Sequence, residues 1–131
     1  MTYAGDLTAR EAAALLQERD DAILIDVRTM AEWNWVGVPD VPGTRFVQWV
    51  GWPGGQPNPD FVAEAGRDLD HSQPLLMLCR SGARSAAAAH ALTAAGFAEV
   101  YNVADGFEGD LDAAGHRTSG WRGAGLPWRQ N

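Results

Sequence analysis

The sequence predicts an α/β domain with a central, mostly parallel sheet flanked by helices on both faces. Short apolar runs of strand length, such as "AILIDV" and "PLLMLC", recur along the chain and alternate with segments of helical composition. These runs are apolar at successive positions, which is typical of strands buried on both faces. Strands that alternate with helices are joined by crossover connections, which favour parallel pairing.

Each element follows from a local pattern. Thr8 and Glu11 have the spacing of a capping box, so the first helix is predicted to begin after Thr8 and to end near Asp20. The segment "TMAEWNWVG" predicts one or two helical turns, and the two prolines of "VPDVPG" predict a turn. The remaining predicted strands cover 22–27, 45–50, 74–79 and 99–103, and the remaining predicted helices cover about 60–69 and 83–96.

Length and composition limit the organisation of the chain. With 131 residues and 46% hydrophobic composition, it can form one packed core but hardly two, so a single domain over 1–131 is expected. The core is expected at about 7–113. The extension 114–131 is rich in Gly, Trp and Arg and has no clear period, so no regular structure is predicted there, whether it wraps the core or frays.

Charge and cysteine content exclude several classes of protein. The net charge of -7 argues against nucleic-acid and anionic-membrane partners, which need clustered Lys and Arg. One cysteine cannot form an internal disulfide, and no Cys/His cluster has metal-ligand spacing, so neither a disulfide nor a structural zinc site is expected. Without a long apolar run or the pattern of a secretory signal, a cytoplasmic location is expected.

The chemistry of the chain is concentrated in "CRSGARS", where the single cysteine lies between a buried strand and a helix. The loop from Cys79 to Arg84 can direct successive backbone N–H groups inward and form a concave anion-binding nest. The N-terminus of the helix and nearby guanidinium groups favour the thiolate form of cysteine. Gly82 allows the tight turn, and the Ser81 and Ser85 hydroxyls can add hydrogen-bond donors. The pattern therefore predicts that Cys79 is a nucleophile.

A lone cysteine after a strand can also be a small core residue. A core residue needs neither a glycine turn nor two adjacent arginines, so nucleophilic catalysis is the better interpretation here. Arg80 could be a solvated surface charge. Arg84 lies in the first turn of the helix, where a cation is unfavourable unless an anion is close, so Arg84 is the stronger candidate for a substrate contact.

Other polar residues receive supporting roles. Asp26 is expected to be a structural cap or hydrogen-bond partner, and Arg28 and Glu32 have the spacing of a local helical ion pair. Asp26 with Arg28, Cys79, and Asp105 with Gly106 each follow an apolar run, so they are expected at one edge of the sheet, where ligands bind. The six tryptophans are expected in the core, in loop packing or at an interface.

The motifs together resemble the single-domain rhodaneses, a sulfurtransferase family. The resemblance lies in "ILIDVRTMAEW", in "LLMLCRSGARSAAAAHALTAAGF" and in "VYNVADGFEG". It implies a rhodanese-like fold and a persulfide intermediate on Cys79. It also implies anion binding by the side chains of Arg80 and Arg84 and by the backbone N–H groups of the loop residues Arg80, Ser81, Gly82, Ala83 and Arg84. Where many members have a Gly-His-Ile-Pro-Gly-Ala run, this chain has "VGVPDVPGT", which contains no histidine.

The resemblance implies a sulfurtransferase with neither a metal nor an organic cofactor. The positive charges of Arg80 and Arg84 favour thiosulfate as the sulfur donor, with cyanide or a thiol as the acceptor. Two alternatives stay open: a non-catalytic persulfide carrier or binding module, and a phosphatase or arsenate reductase of related fold. Phosphatases of related fold use Cys-x5-Arg, whereas Cys79 and Arg84 form Cys-x4-Arg, which favours sulfur transfer. The tryptophans of "WVGWPGG" predict a contact surface, with a homodimer as one candidate assembly.

Overall fold

The computed structural model describes residues 2–131 and contains a five-stranded parallel sheet. The strands are β1 (Gly5–Leu7), β2 (Ile23–Asp26), β4 (Arg45–Phe46), β5 (Leu75–Leu78) and β6 (Val100–Val103). Their order across the sheet is β1-β6-β5-β2-β4, and each neighbouring pair is parallel. The predicted α/β class and the mostly parallel sheet are confirmed.

Five helices surround the sheet. They are α1 (Ala9–Glu18), α2 (Met30–Trp35), α3 (Phe61–Ala65), α4 (Ala83–Ala94) and α5 (Gly120–Gly123). The predicted capping box of α1 is present, since Thr8 Oγ1 accepts from the Glu11 N–H and Glu11 Oε1 accepts from the Thr8 N–H. No helix among residues 2–131 is long and apolar enough to cross a membrane.

The core has two parts, one on each face of the sheet, because successive strand residues point to opposite faces. On one face, Ile25 and Met77 pack with Phe61 of α3 and Ala88 of α4. On the other face, the buried residues include strand residues, one residue of α1 and one of α5: Leu24, Leu76, Leu78, Ala12 and Trp121. Helices therefore cover both faces of the sheet, as predicted.

The C-terminal extension is more ordered than predicted. Trp121 is buried in the core, which therefore extends beyond the expected boundary at residue 113. A short strand, β7 (Trp128–Arg129), pairs antiparallel with β3 (Val38–Pro39) in a separate two-stranded sheet. The hydrophobic pattern of the extension did not predict this strand, because the strand forms by pairing with a segment that is distant in sequence.

Three further predictions need correction. Part of "VPDVPG" is the strand β3, and its proline is tolerated because this two-residue strand is not central to the main sheet. The strand predicted over 45–50 stops at Phe46, although Val47 N and Trp49 N still donate to β2 and its continuation. Strand β1 was not predicted, because three residues are too few for a pattern to emerge.

Candidate active site

Cys79 lies directly after β5, at the carboxyl edge of the sheet, and Gly82 is the N-cap residue of α4. Gly82 has φ of 107°, in the left-handed region, and a Cβ at this position would collide with the backbone carbonyl of Ala104. Only glycine meets both requirements. The strand, loop and helix predicted around Cys79 are therefore present, with the helix beginning at Ala83.

The segment after β6 supports the loop from behind. The Phe107 N–H donates to the Cys79 carbonyl at 2.8 Å, and the Glu108 and Gly109 N–H groups donate to the Arg80 carbonyl at 3.0 and 3.1 Å. A Cβ on Gly106 would meet the Arg80 backbone, so this close approach also needs glycine. The predicted convergence of Gly106 with the cysteine loop is observed, and it holds the loop backbone in place.

The Cys79 sulfur lies at the bottom of the loop, and the residue is only 1% exposed. The Gly82 N–H donates to Sγ at 3.1 Å. Within residues 2–131, the N–H groups of Ser81, Ala83 and Arg84 donate to no protein acceptor. The loop thus combines one N–H bonded to the sulfur with several that are available to an anion.

A buried polar network extends from the sulfur into the sheet. Ser85 Oγ lies 3.1 Å from Cys79 Sγ and donates to Asn102 Oδ1 at 2.6 Å. Asn102 Nδ2 donates to the Gly82 carbonyl at 3.2 Å and to Asp6 Oδ1 at 3.1 Å. Because both of these partners are acceptors, the Asn102 amide is oriented with its oxygen toward Ser85. Ser85 was predicted to lie near the site as structural support, and its hydroxyl contacts the Cys79 sulfur.

Asn102 was missed by the sequence analysis. It is the polar residue in "VYNV", an otherwise apolar or aromatic strand, and it is buried. Buried polar side chains are hydrogen-bonded, so an amide in a central strand indicates a specific partner. That signal was available in the sequence, although it could not identify Ser85 as the partner.

Glu32 pairs with Arg84, and the predicted ion pair between Arg28 and Glu32 is wrong. Arg84 Nη2 donates to Glu32 Oε2 at 2.9 Å, and Nη1 donates to Oε1 at 2.6 Å. Glu32 also completes a capping box with Thr29 at the start of α2, so its carboxylate faces α4 instead of Arg28. The spacing of Thr29 and Glu32 is that of Thr8 and Glu11, and this second capping box could have been read from the sequence.

The pKa values of this pair shift in the directions expected for an ion pair. Burial acts to raise the pKa of the Glu32 carboxyl. The hydrogen bonds and charge of Arg84, together with the hydrogen bonds of Thr29, outweigh this effect and leave the pKa below its ordinary value. The hydrogen bonds to Glu32 raise the pKa of Arg84 above its ordinary value, against the effect of burial. Glu32 is therefore an anion that balances the Arg84 charge at the start of α4.

Arg28 is fully buried and pairs with Asp26. Its Nη2 donates to Asp26 Oδ2 at 2.7 Å and to the Gly37 carbonyl at 2.8 Å, and its guanidinium stacks over the Phe107 ring with its central carbon 4.3 Å from the centroid. Asp26 Oδ1 also accepts from the Arg28 N–H at 3.1 Å. Asp26 is thus a hydrogen-bond partner, as expected, and the pair organises the backbone between β2 and α2.

Arg80 is exposed, and its guanidinium forms no hydrogen bond or ion pair within the part of the chain that the structure describes. Ser81 is half-buried, and its hydroxyl is likewise unbonded there. Ala83 can act only through its backbone N–H. Of the two loop arginines, Arg84 is paired with Glu32, whereas the guanidinium of Arg80 is available to a substrate.

Asp105 and the histidines His71 and His90 lie outside the site. Asp105 Oδ1 accepts from the Ala9 N–H at 2.8 Å, so it caps α1 and does not face the cysteine. The rings of His90 and Tyr3 meet edge to face, and so do those of His71 and Phe97. Residues 2–131 contain no group of three or more His, Cys, Asp or Glu side chains that could hold a metal ion.

The fold and the site together define a class: an α/β protein with a cysteine at the end of a parallel strand, inside a short loop that leads into a helix N-terminus. The sequence profile of the Rhodanese-like domain matches residues 8–113. The chain belongs to the rhodanese-like family, as the resemblance of its motifs indicated.

Several known proteins are similar to this chain. The crystal structure of Rv0390 from M. tuberculosis matches with a TM-score of 0.92 and 47% identity, covering 99% of this chain and 100% of that one. The solution structure of a polysulfide-sulfur transferase homodimer from Wolinella succinogenes matches with a TM-score of 0.71 and 28% identity, covering 96% and 78%. The thiosulfate sulfurtransferase GlpE of Stutzerimonas stutzeri is 50% identical over 50 residues, covering 38% and 42%. These similarities support a sulfurtransferase-type fold.

Proposed function

We propose that this protein is a thiosulfate sulfurtransferase that carries sulfane sulfur as a persulfide on Cys79. The observation that carries the proposal is the position of Cys79 Sγ, which accepts the Gly82 N–H at 3.1 Å in a loop where the N–H groups of Ser81, Ala83 and Arg84 have no acceptor among residues 2–131. The exposed guanidinium of Arg80 adds a positive charge beside this loop. The similar proteins from S. stutzeri and W. succinogenes, whose names state sulfur transfer, also support it.

The reaction has two displacement steps, with Cys79 as the nucleophile in the first. The Cys79 thiolate attacks the outer sulfur of thiosulfate, and the sulfur–sulfur bond of thiosulfate breaks. Sulfite leaves with the electron pair, and Cys79 holds a persulfide. A cyanide ion or a thiolate then attacks the outer sulfur of the persulfide, which regenerates the Cys79 thiolate and releases thiocyanate or an acceptor persulfide.

Each part of the site has a task in these steps. The free N–H groups of the loop bind the oxygens of thiosulfate and the leaving sulfite, and Arg80 adds a cation. Arg84 holds Glu32, and this pair fixes α2 beside the loop. Ser85 and Asn102 orient the sulfur from the buried side. A single cysteine provides no resolving thiol, so the sulfur must leave for another molecule.

The test is intact-mass analysis of the purified protein after incubation with thiosulfate, followed by a thiocyanate assay with cyanide. The wild type should gain the mass of one sulfur atom and then release it as thiocyanate. Cys79→Ala removes the chain's only cysteine and should do neither. Failure of the wild type to gain sulfur would overturn the proposal.

The same measurements separate the two alternatives. A persulfide carrier would gain one sulfur atom but turn over slowly with every acceptor. A phosphatase or arsenate reductase would act on an aryl phosphate or arsenate faster than it transfers sulfur.

Partners and location are part of the proposal. The donor is a small anion such as thiosulfate, and the acceptor is a thiol or cyanide. No nucleic acid or membrane surface is involved, in keeping with the net charge of -7. A cytoplasmic location and a homodimer stay predictions, the latter alongside the homodimeric sulfur transferase of W. succinogenes.

A further inference from the structure

A cleft of about 620 Å³ opens beside the cysteine loop, and two exposed tryptophans line it. Trp35, at the end of α2, is 83% exposed, and Trp52, in the loop after β4, is 72% exposed. Val36 and Val50 line the same cleft, as do the loop residues Arg80 and Arg84. An apolar surface of this kind next to a reactive residue is typical of a binding site.

The backbone that carries each of the two tryptophans is hydrogen-bonded. At the start of α2, Glu32 is held by Arg84, and at its end Asn131 Nδ2 donates to the Trp33 carbonyl at 3.1 Å. The loop that carries Trp52 is closed by the Gly51 N–H, which donates to the Gln56 carbonyl at 2.8 Å. Hydrogen bonds therefore stabilise the backbone on both sides of the cleft.

The charges that line the cleft are mostly neutralised in pairs. Glu32 is paired with Arg84, and Glu108 lies 3.7 Å from Arg122. Arg80 has no such partner within residues 2–131. The cleft thus presents one uncompensated positive charge on a chain whose net charge is -7, which favours an acidic group on the ligand at this position.

The burial of Cys79 limits what can reach the sulfur. The residue is 1% exposed, so an acceptor must approach with a slender group such as cyanide or the side chain of a cysteine. A free small thiol would leave the indoles of Trp35 and Trp52 in water, whereas a polypeptide could cover both while its cysteine enters the loop. Trp and Arg are also the residue types that dominate the energetics of protein interfaces.

We propose that this cleft is the docking surface for a protein acceptor, which presents a cysteine beside an acidic residue on an exposed segment. The acceptor contacts Trp35 and Trp52, its acidic group pairs with Arg80, and its thiolate attacks the outer sulfur of the Cys79 persulfide. This inference rests on the proposed sulfurtransferase function.

The test measures the second step alone, with two synthetic peptides as probes. Each peptide has one cysteine and a neighbouring leucine, and the cysteine is flanked by aspartates in one peptide and by lysines in the other. The protein is first loaded with thiosulfate, freed of excess donor, and checked by mass for the added sulfur. Its discharge to each peptide, to free cysteine and to cyanide is then timed.

The wild type should discharge fastest to the aspartate peptide among the three thiols, and added salt should reduce its advantage over the lysine peptide. In the double variant Trp35→Ala/Trp52→Ala, the ratio of the peptide rate to the cyanide rate should fall about tenfold. Leu111→Ala is the matched control, since Leu111 is 60% exposed and does not line the cleft. It should keep the wild-type ratio.

Three results would overturn the docking proposal. They are discharge to free cysteine as fast as to the aspartate peptide, equal discharge to the two peptides, and an unchanged rate ratio in the double tryptophan variant. Failure to load sulfur is observed before any acceptor is added, so it is distinguishable from these results and overturns the proposed function itself.

Discussion

The guanidinium of Arg84 donates to both carboxylate oxygens of Glu32, at 2.6 and 2.9 Å, and so joins the first turn of α4 to α2. Paired hydrogen bonds of this kind between Arg and a carboxylate are strong and directional. The pair therefore fixes one wall of the cleft relative to the cysteine loop.

Replacing Glu32 should destabilise the fold in a pH-dependent way. Because the pKa of Glu32 is lowered in the folded state, its contribution is fully present above the ordinary glutamate pKa of about 4.3 and is lost as pH falls through the lower folded value. We expect Glu32→Gln to reduce the free energy of unfolding by about 1 kcal/mol at neutral pH. Denaturant unfolding from pH 7 down to about pH 3 should show the difference shrink as the pH falls. A constant difference across this range would contradict the prediction.

The two loop arginines should affect thiosulfate binding unequally. The sequence placed Arg84 ahead of Arg80 as the substrate contact, but Arg84 is engaged by Glu32 whereas the Arg80 guanidinium is unpaired within residues 2–131. We expect Arg80→Ala to raise the thiosulfate KM about tenfold, from the loss of a charge-assisted hydrogen bond, and Arg84→Ala to raise it less.

Steady-state thiocyanate assays check this order, with Arg67→Ala as the control. Arg67 is exposed and does not line the cleft, so its replacement changes the net charge equally and should leave KM unchanged. Equal, negligible effects of the two loop variants would mean that the backbone N–H groups alone hold the anion.

The Ser85 hydroxyl should assist persulfide formation. Its proton is directed to Asn102 Oδ1 at 2.6 Å, but rotation of the hydroxyl can direct it to a thiolate on Cys79, 3.1 Å away. Loss of a hydrogen bond to a charged group costs about 1.5–3 kcal/mol, so Ser85→Ala should slow loading at least about tenfold. Quenched intact-mass kinetics measure this step, with the exposed Ser72→Ala as control. Loading of Ser85→Ala at the wild-type rate would exclude the role.

The buried pair of Asp26 and Arg28 should show strong coupling. Removing one partner leaves an uncompensated buried charge, so Asp26→Asn or Arg28→Met should each cost about 3–5 kcal/mol of stability. Asp26→Leu combined with Arg28→Met should cost less than the sum of the corresponding single changes, which a double-mutant cycle by denaturant unfolding measures. Additive costs would show that the two side chains act independently.

Much of this protein follows from its sequence because the relevant signals are local. Apolar runs predict β2, β5 and β6, the spacing of Thr8 and Glu11 predicts the start of α1, and "CRSGARS" predicts a strand, a tight glycine turn and a helix around Cys79. Capping, turn geometry and strand burial each depend on residues a few positions apart. The family and the candidate nucleophile can be recognised from these segments.

Only the tertiary structure decided which residues become partners. Glu32 lies four positions from Arg28, but it pairs with Arg84, which is 52 positions away. Asn102 bonds to Ser85, and the C-terminal residues pair with β3, again across long stretches of chain. A charged or polar side chain bonds to whatever complementary group the packing of helices and strands brings near it. Local spacing therefore located the cysteine loop, and packing determined what surrounds it.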